Sequence, residues 1–225
     1  MHIQELILQT QHPAKQKEFY NKMLGLPLLA ETDAEFTIQV GTTRLSFQKT
    51  QQDVLYHVAF TLPRDTFSQA KGWLGERLSL LDKNGEDEFF FANIDARSFY
   101  FYDADKNILE YIVHYELEHE IGRPFQPTDV MHISEIGLPV EGVPEQVAFL
   151  KEKLGIEPHK SMSSEEFAFI GDIYGQLVVV KVGRPWLPTE SVLAVVSPVQ
   201  LTTKDQKETQ LQLLPFPYTI TAHAF

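Results

Sequence analysis

An internal repeat constrains the fold of this chain more than any other feature of its sequence. Residues 3–8 (IQELIL) match residues 133–138 (ISEIGL), which lie 130 positions further on. After one inserted residue, the match resumes between 35–38 (EFTI) and 166–169 (EFAF). Matches that drift by single residues at loops are typical of duplicated structure. The chain is therefore predicted to contain tandem copies of one supersecondary unit.

The hydropathy pattern predicts the order of elements within one copy. Residues 3–10 alternate between polar and apolar side chains, as a half-buried strand does. Pro13 suits the first turn of a helix, and Gly25 suits the position just after the helix ends. Three short strands are then predicted over 26–30, 35–40 and 43–48.

Two further units and a remnant follow the first copy. The second unit begins with a strand at 55–62 and ends with a strand at 108–114, and the third spans 131–182. The remainder offers strands at 192–201 and 218–225, and it is too short for a complete fourth unit. We therefore predict an α+β fold of tandem βαβββ units, with the first pair complete and the second pair abbreviated.

This count of units sets the expected domain boundaries. Residues 1–115 are predicted to form a two-unit cup that holds the candidate metal site. Residues 116–129, which are acidic and then contain prolines, are predicted to be a linker. Residues 130–225 are predicted to form a second, degenerate domain that supports or covers the first.

Charge and cysteine content limit the partners of the chain. It has 19 basic and 31 acidic residues, a formal net charge of −12 and no basic cluster, so nucleic acid and anionic membranes are not expected as partners. Because there is no cysteine, a metal must be bound by His, Asp, Glu or neutral oxygen donors. The first ten residues lack a signal-peptide pattern and no apolar run approaches the roughly 18 residues of a membrane helix, so a cytoplasmic location is expected.

Three ionisable side chains lie centrally on otherwise apolar strands. Glu110, His57 and Glu5 each share a strand face with apolar neighbours. One imidazole and two carboxylates suit Fe(II), Mn(II), Zn(II) or Ni(II). Each residue also has a simpler explanation. His57 could be a hydrogen-bonded core histidine, and Glu5 could face water. Glu110 could form an ion pair with Arg44 or Arg97.

Two segments resemble motifs of a known superfamily. Residues 18–26 (EFYNKMLGL) resemble the first-helix signature of the vicinal oxygen chelate superfamily, and residues 101–110 (FYDADKNILE) resemble its turn before a metal-binding Glu. Members include glyoxalase I, ring-cleaving dioxygenases and fosfomycin- and bleomycin-resistance proteins. The resemblance covers 3–114 and, more weakly, 131–182. It implies the glyoxalase/bleomycin-resistance/dihydroxybiphenyl-dioxygenase type of fold.

The resemblance also implies a ligand set. The family's ligand positions correspond here to Glu5, His57 and Glu110, although the first ligand is usually His. A fourth ligand position, used by glyoxalase-like members, falls near Arg44, which cannot bind a cation, with Gln48 further along the same face. An open site with three protein ligands is therefore expected.

Two further residues qualify this interpretation. His114 lies four residues beyond Glu110 on the same strand face, so it is a candidate catalytic acid or base, or else a residue at the strand end. Glu135 repeats Glu5 in the third unit, but the strand predicted at 192–201 contains no His to accompany it. The metal site is therefore predicted in the first half of the chain.

These observations lead to three alternative functions. The first is a metal-dependent enzyme, similar to ring-cleaving dioxygenases or glyoxalases, whose small substrate chelates the metal through adjacent oxygens. The dioxygenase type is favoured by the tandem units and the open site. The second is a metal-free small-molecule-binding protein of the bleomycin-resistance type, and the third is a scaffold without ligand. A monomer or a homodimer is expected.

Overall fold

The computed structural model describes residues 1–205 and 208–224, which form two β-sheets and three α-helices. The seven-stranded sheet has the order β14-β15-β13-β1-β4-β3-β2. Its strands are β1 (His2–Thr10), β2 (Leu28–Glu31), β3 (Glu35–Val40), β4 (Thr43–Lys49), β13 (Val199–Asp205), β14 (Thr209–Gln212) and β15 (Tyr218–Ala224).

The second sheet has eight strands in the order β10-β11-β12-β9-β5-β8-β7-β6. They are β5 (His57–Thr61), β6 (Phe89–Phe91), β7 (Ala96–Tyr102), β8 (Ile108–His114), β9 (His132–Val140), β10 (Pro158–Ser163), β11 (Phe167–Asp172) and β12 (Gly175–Lys181). The helices are α1 (Pro13–Glu18), which continues as a π-helical turn at Phe19–Met23, then α2 (Phe67–Gly75), α3 (Val143–Leu154) and a 3-10 turn at Pro127–Asp129. None of the helices in the described ranges is both long and apolar enough to span a membrane.

The predicted α+β fold of repeated βαβββ units is confirmed. The fourth unit is abbreviated, since the described residues from β13 to β15 contain no helix. It differs in detail from the expectation, because its first strand begins at Val199 instead of residue 192 and β14 is additional. Residue 225, at the end of the predicted last strand, lies outside the described residues.

The units pair within the sheets in a different combination from the one expected, in which the first and second units form one cup. The first unit shares the seven-stranded sheet with the fourth, because β1 pairs with β13. The second unit shares the eight-stranded sheet with the third, because β5 pairs with β9. Each sheet therefore contains strands from both sides of residues 116–129, so residues 1–115 do not share one cup.

The main core lies between the two sheets and follows from the alternation of side chains along each strand. Leu6 and Leu8 of β1 and Ile136 and Leu138 of β9 are all buried in it. Successive side chains of a strand point to opposite faces. Glu5, just before Leu6, and Glu135, just before Ile136, therefore point away from this core. Glu135 thus lies on the face of the eight-stranded sheet that is turned away from the main core.

Asp103 joins the first unit to the second through a buried hydrogen-bond network. Its carboxylate accepts hydrogen bonds from the side chains of Gln16 (2.7 Å), Tyr20 (3.1 Å) and Asn107 (2.7 Å). It also accepts the backbone N–H groups of Asp105 and Asn107, both at 2.9 Å. The turn before β8 is thereby fixed against the first helix.

Asp103→Ala is expected to lower the free energy of unfolding by about 3–5 kcal/mol, because it leaves several buried donors without an acceptor. Denaturant unfolding followed by circular dichroism measures this loss. Asp33→Ala, in an exposed turn, is the matched control and should change stability by less than about 0.5 kcal/mol. Equal stability of the two variants would contradict the role given to the network.

Candidate metal centre

Three adjacent strands of the eight-stranded sheet bring three ionisable side chains together. β5 lies between β9 and β8, and the small residue Ala59 of β5 stands opposite Glu135 on one side and Glu110 on the other. His57 lies two residues before Ala59 and therefore on the same face. The three residues His57, Glu110 and Glu135, here called the triad, converge above Ala59.

The geometry of the triad is compact and buried. Nε2 of His57 lies 3.4 Å from a carboxylate oxygen of Glu110 and 3.9 Å from one of Glu135. One ligand atom from each residue lies within 4.8 Å of the other two. All three residues are at most 5% exposed. One nitrogen and two oxygen donors at this spacing fit a first-row divalent ion.

The charges of the triad depend on one another. Burial raises the pKa of Glu135 to about 7, and the nearby Glu110 carboxylate raises it too, against the lowering effect of His57. Burial by itself would lower the pKa of His57, but hydrogen bonding of its ring N–H to the Glu110 and Glu135 carboxylates, together with their charges, outweighs burial and raises the pKa to about 9. Without another cation, the single imidazolium therefore offsets only part of the charge of the two carboxylates. A bound divalent ion would take over that role and leave the imidazole neutral.

Trp186 fixes the orientation of the His57 ring. The two ring centroids lie 4.8 Å apart, and Nδ1 of His57 has no hydrogen-bond partner within the part of the chain that the structure describes. A Cβ atom on Gly137, which follows Glu135 on the same face of β9, would lie 2.7 Å from the Trp186 ring. Gly137 thus makes room for Trp186, and packing against this ring, instead of a hydrogen bond at Nδ1, orients that side of the imidazole.

Gln176 adds a possible fourth donor. It stands opposite Glu135 on the neighbouring strand β12, and its buried Oε1 has no hydrogen-bond partner among residues 1–205 and 208–224. The corresponding residue beside Glu5 is Arg44, whose guanidinium lies 3.4 Å from the Glu5 carboxylate. The two sheets therefore differ at this position, with a neutral oxygen donor in one and a cation in the other.

The sequence-predicted ligands are divided between the two sheets. His57 and Glu110 meet in the triad, whereas Glu5 lies in the seven-stranded sheet, paired with Arg44 and half-buried. Glu135 was not among the predicted ligands. The repeat itself pointed to it as the counterpart of Glu5, but the pairing of the units decides which of the two reaches His57.

His114 shares the strand face of Glu110 but does not line the cavity above the triad. It is buried, and neither of its ring nitrogens has a hydrogen-bond partner among the residues described. Burial, together with the charges of His159 and His132, lowers its pKa to about 4, so the ring is neutral at pH 7. Its proposed catalytic role stays a prediction.

A cavity of about 410 Å³ opens above the triad. Its size lies within the usual range for small-molecule sites. The walls are largely apolar, and the only charged side chain on them besides the triad, among the described residues, is Arg184. The aromatic wall residues are Phe91, Tyr100, Phe167, Phe169 and Trp186.

Comparisons with known proteins agree with this architecture. No family profile and no curated protein sequence matches the chain. A "putative dioxygenase" from Bacillus subtilis superposes with a TM-score of 0.61 at 13% identity, over 99% of this chain and 85% of that one. A glyoxalase I mutant from Zea mays gives 0.57 at 12% identity, over 98% and 91%. The chain therefore has the fold of the vicinal oxygen chelate superfamily, to which glyoxalases, bleomycin-resistance proteins and ring-cleaving dioxygenases belong.

Proposed function

We propose that this chain is a metal-dependent enzyme whose small substrate chelates the metal through adjacent oxygen atoms. The observation that supports it most is the convergence of the triad at the floor of the cavity. Two buried carboxylates beside one imidazole are costly unless they are neutralised and coordinated. A bound cation would supply that neutralisation at the point where a ligand in the cavity can reach it.

Each residue of the triad would have a defined part. Nε2 of His57 and one oxygen each from Glu110 and Glu135 would hold the ion, with Oε1 of Gln176 available as a further donor. When bound there, Fe, Mn, Zn or Ni supplies a Lewis acid that polarises substrate oxygens. The aromatic walls would orient the substrate and exclude water from it.

Gln176 bears on the type of reaction. The sequence favoured a dioxygenase because Arg44 occupies the expected fourth ligand position. With Gln176 at the matching position beside Glu135, a glyoxalase-like set of four donors is equally well supported. Oxygen uptake with catechols after anaerobic iron loading, and hemithioacetal turnover with zinc or nickel, distinguish the two reactions.

Reconstituted protein is expected to retain about one divalent ion per chain, because the triad offers one compact donor set. Elemental analysis after removal of excess metal measures the stoichiometry. At a free concentration of 100 Kd, the ion should stabilise the fold by about 2.7 kcal/mol, seen as a rise in Tm. Protein that takes up none of Fe, Mn, Ni and Zn would contradict the enzyme proposal and favour a metal-free binding protein.

A further inference from the structure

The chemistry of the cavity indicates what kind of molecule it takes. Phe91, Phe167, Phe169 and Trp186 present flat apolar surfaces above the triad. Phe167 and Phe169 pack edge to face, with ring centroids 4.7 Å apart. Such walls favour a flat, apolar body, because aromatic rings gain from stacked and edge-on contacts beyond the area they bury.

Arg184 is, besides the triad, the charged residue among the described residues of these walls. Its side chain is half-buried, and its guanidinium carbon lies 4.8 Å from the centre of the Phe167 ring. It donates one long hydrogen bond, 3.5 Å, to the Pro185 carbonyl. Among the described residues no carboxylate lies within ion-pair distance of it. Most of its five donors are therefore available to a ligand.

The charges around the cavity leave this guanidinium uncompensated. With a divalent ion bound and His57 neutral, the carboxylates of Glu110 and Glu135 balance the ion. Arg184 then carries the remaining positive charge among the described lining residues. A ligand with one negative charge would neutralise it, whereas a dianion such as a phosphate monoester would overcompensate it.

We propose that the substrate is a flat, apolar, preferably aromatic molecule with a carboxylate remote from its chelating oxygens, and that Arg184 binds this carboxylate. The proposal rests on the proposed function, because the chelating end needs the metal. A planar guanidinium matches a carboxylate through two parallel hydrogen bonds, and its seat on Phe167 keeps it oriented. Arg184 is thus a specificity-determining residue contributed by the segment between β12 and β13.

Binding of paired probes tests this proposal without turnover. Zinc-loaded protein, which cannot carry out oxidation through its metal, is titrated calorimetrically with 3,4-dihydroxybenzoate, 3,4-dihydroxyphenylacetate and 3-(3,4-dihydroxyphenyl)propanoate. The methyl ester of each acid is the matched neutral probe. The three chain lengths sample different distances between the chelating hydroxyls and the carboxylate. At least one acid is expected to bind about tenfold or more tightly than its ester.

Variants of the chain assign the preference to one residue. Arg184→Gln should bring acid and ester to within about twofold, and Arg184→Lys should keep part of the preference. Lys181→Gln is the matched control, because it removes the same charge from a neighbouring exposed side chain that does not line the cavity. It should keep the full preference.

The outcomes separate this proposal from the proposed function. Binding of zinc and of the esters, with no preference for any acid, contradicts the role of Arg184 alone. A preference that persists in Arg184→Gln contradicts it as well. Protein that takes up no zinc and binds neither acid nor ester contradicts the proposed function and this proposal together.

Discussion

Glu135→Gln is expected to weaken divalent-metal binding about 100-fold or more, while Glu5→Gln leaves it unchanged. The two residues are repeat counterparts, but only Glu135 lies within ligand distance of His57 and Glu110. Replacing a carboxylate ligand by an amide removes a charge and a strong donor from the site. Metal affinity, measured by competition with a chelator of known affinity, gives the two values.

The stability of the metal-free variants provides the control for folding. Burial and the neighbouring Glu110 charge disfavour ionised Glu135, so an amide there should leave the metal-free protein equally or more stable. Metal-free Glu135→Gln is therefore expected to unfold at the same Tm as the wild type or at a higher one. If Glu5→Gln loses the metal and Glu135→Gln keeps it, the site assigned to the eight-stranded sheet is wrong.

Gly41→Ala is expected to destabilise the fold by at least about 3 kcal/mol. Gly41 lies in the turn between β3 and β4 with a φ of +53°. A Cβ atom there would lie 1.9 Å from the Met131 carbonyl oxygen, which accepts a hydrogen bond from the Thr42 N–H at 2.9 Å. Backbone atoms on both sides of the contact must move, and this adds to the left-handed strain.

Two other glycines separate the contributions to this loss. Gly85 has a φ of +83° and open space at its Cβ position, so Gly85→Ala should cost only about 1 kcal/mol. Gly72 lies inside α2 with open space, so Gly72→Ala should be neutral or stabilising by up to about 1 kcal/mol. Denaturant unfolding of the three variants gives the comparison. Equal losses at 41 and 85 would contradict the steric part of the argument.

The contact at Gly41 also connects the two sheets near the metal centre. Met131 immediately precedes β9, and its N–H donates to the Thr61 carbonyl, at the end of β5, at 2.9 Å. Glu135 follows four residues later on β9. A shift of Met131 therefore displaces the strand that carries Glu135, a proposed metal ligand. Gly41→Ala should accordingly lower the affinity for the metal as well as the stability of the fold.

The second half of the chain contributes directly to the candidate site. Glu135 and Gln176 lie on strands of the third unit, and Arg184 and Trp186 lie just beyond it. The expectation that residues 130–225 only support the first half does not describe this arrangement. The division of the chain into two domains at 116–129 stays a prediction. This segment joins β8 to β9, and these two strands lie on either side of β5 in the eight-stranded sheet.

The sequence by itself determined the local structure, namely the strands, the helix ends and their order within each repeated unit. Strand alternation, Pro13 and Gly25 at the helix ends and the repeat predict βαβββ units, and these patterns depend on neighbouring residues along the chain. They also place His57, Glu110 and Glu135 on strand faces, and the repeat makes Glu135 equivalent to Glu5.

Only the tertiary structure decided which unit pairs with which. Every first strand offers the same kind of backbone N–H and C=O groups along its free edge, so the local sequence favours no partner for that edge. The pairing of β1 with β13 and of β5 with β9 depends on contacts between residues far apart in sequence, summed over a whole sheet. That choice brings Glu135 beside His57 and Glu110, and leaves Glu5 with Arg44 in the other sheet.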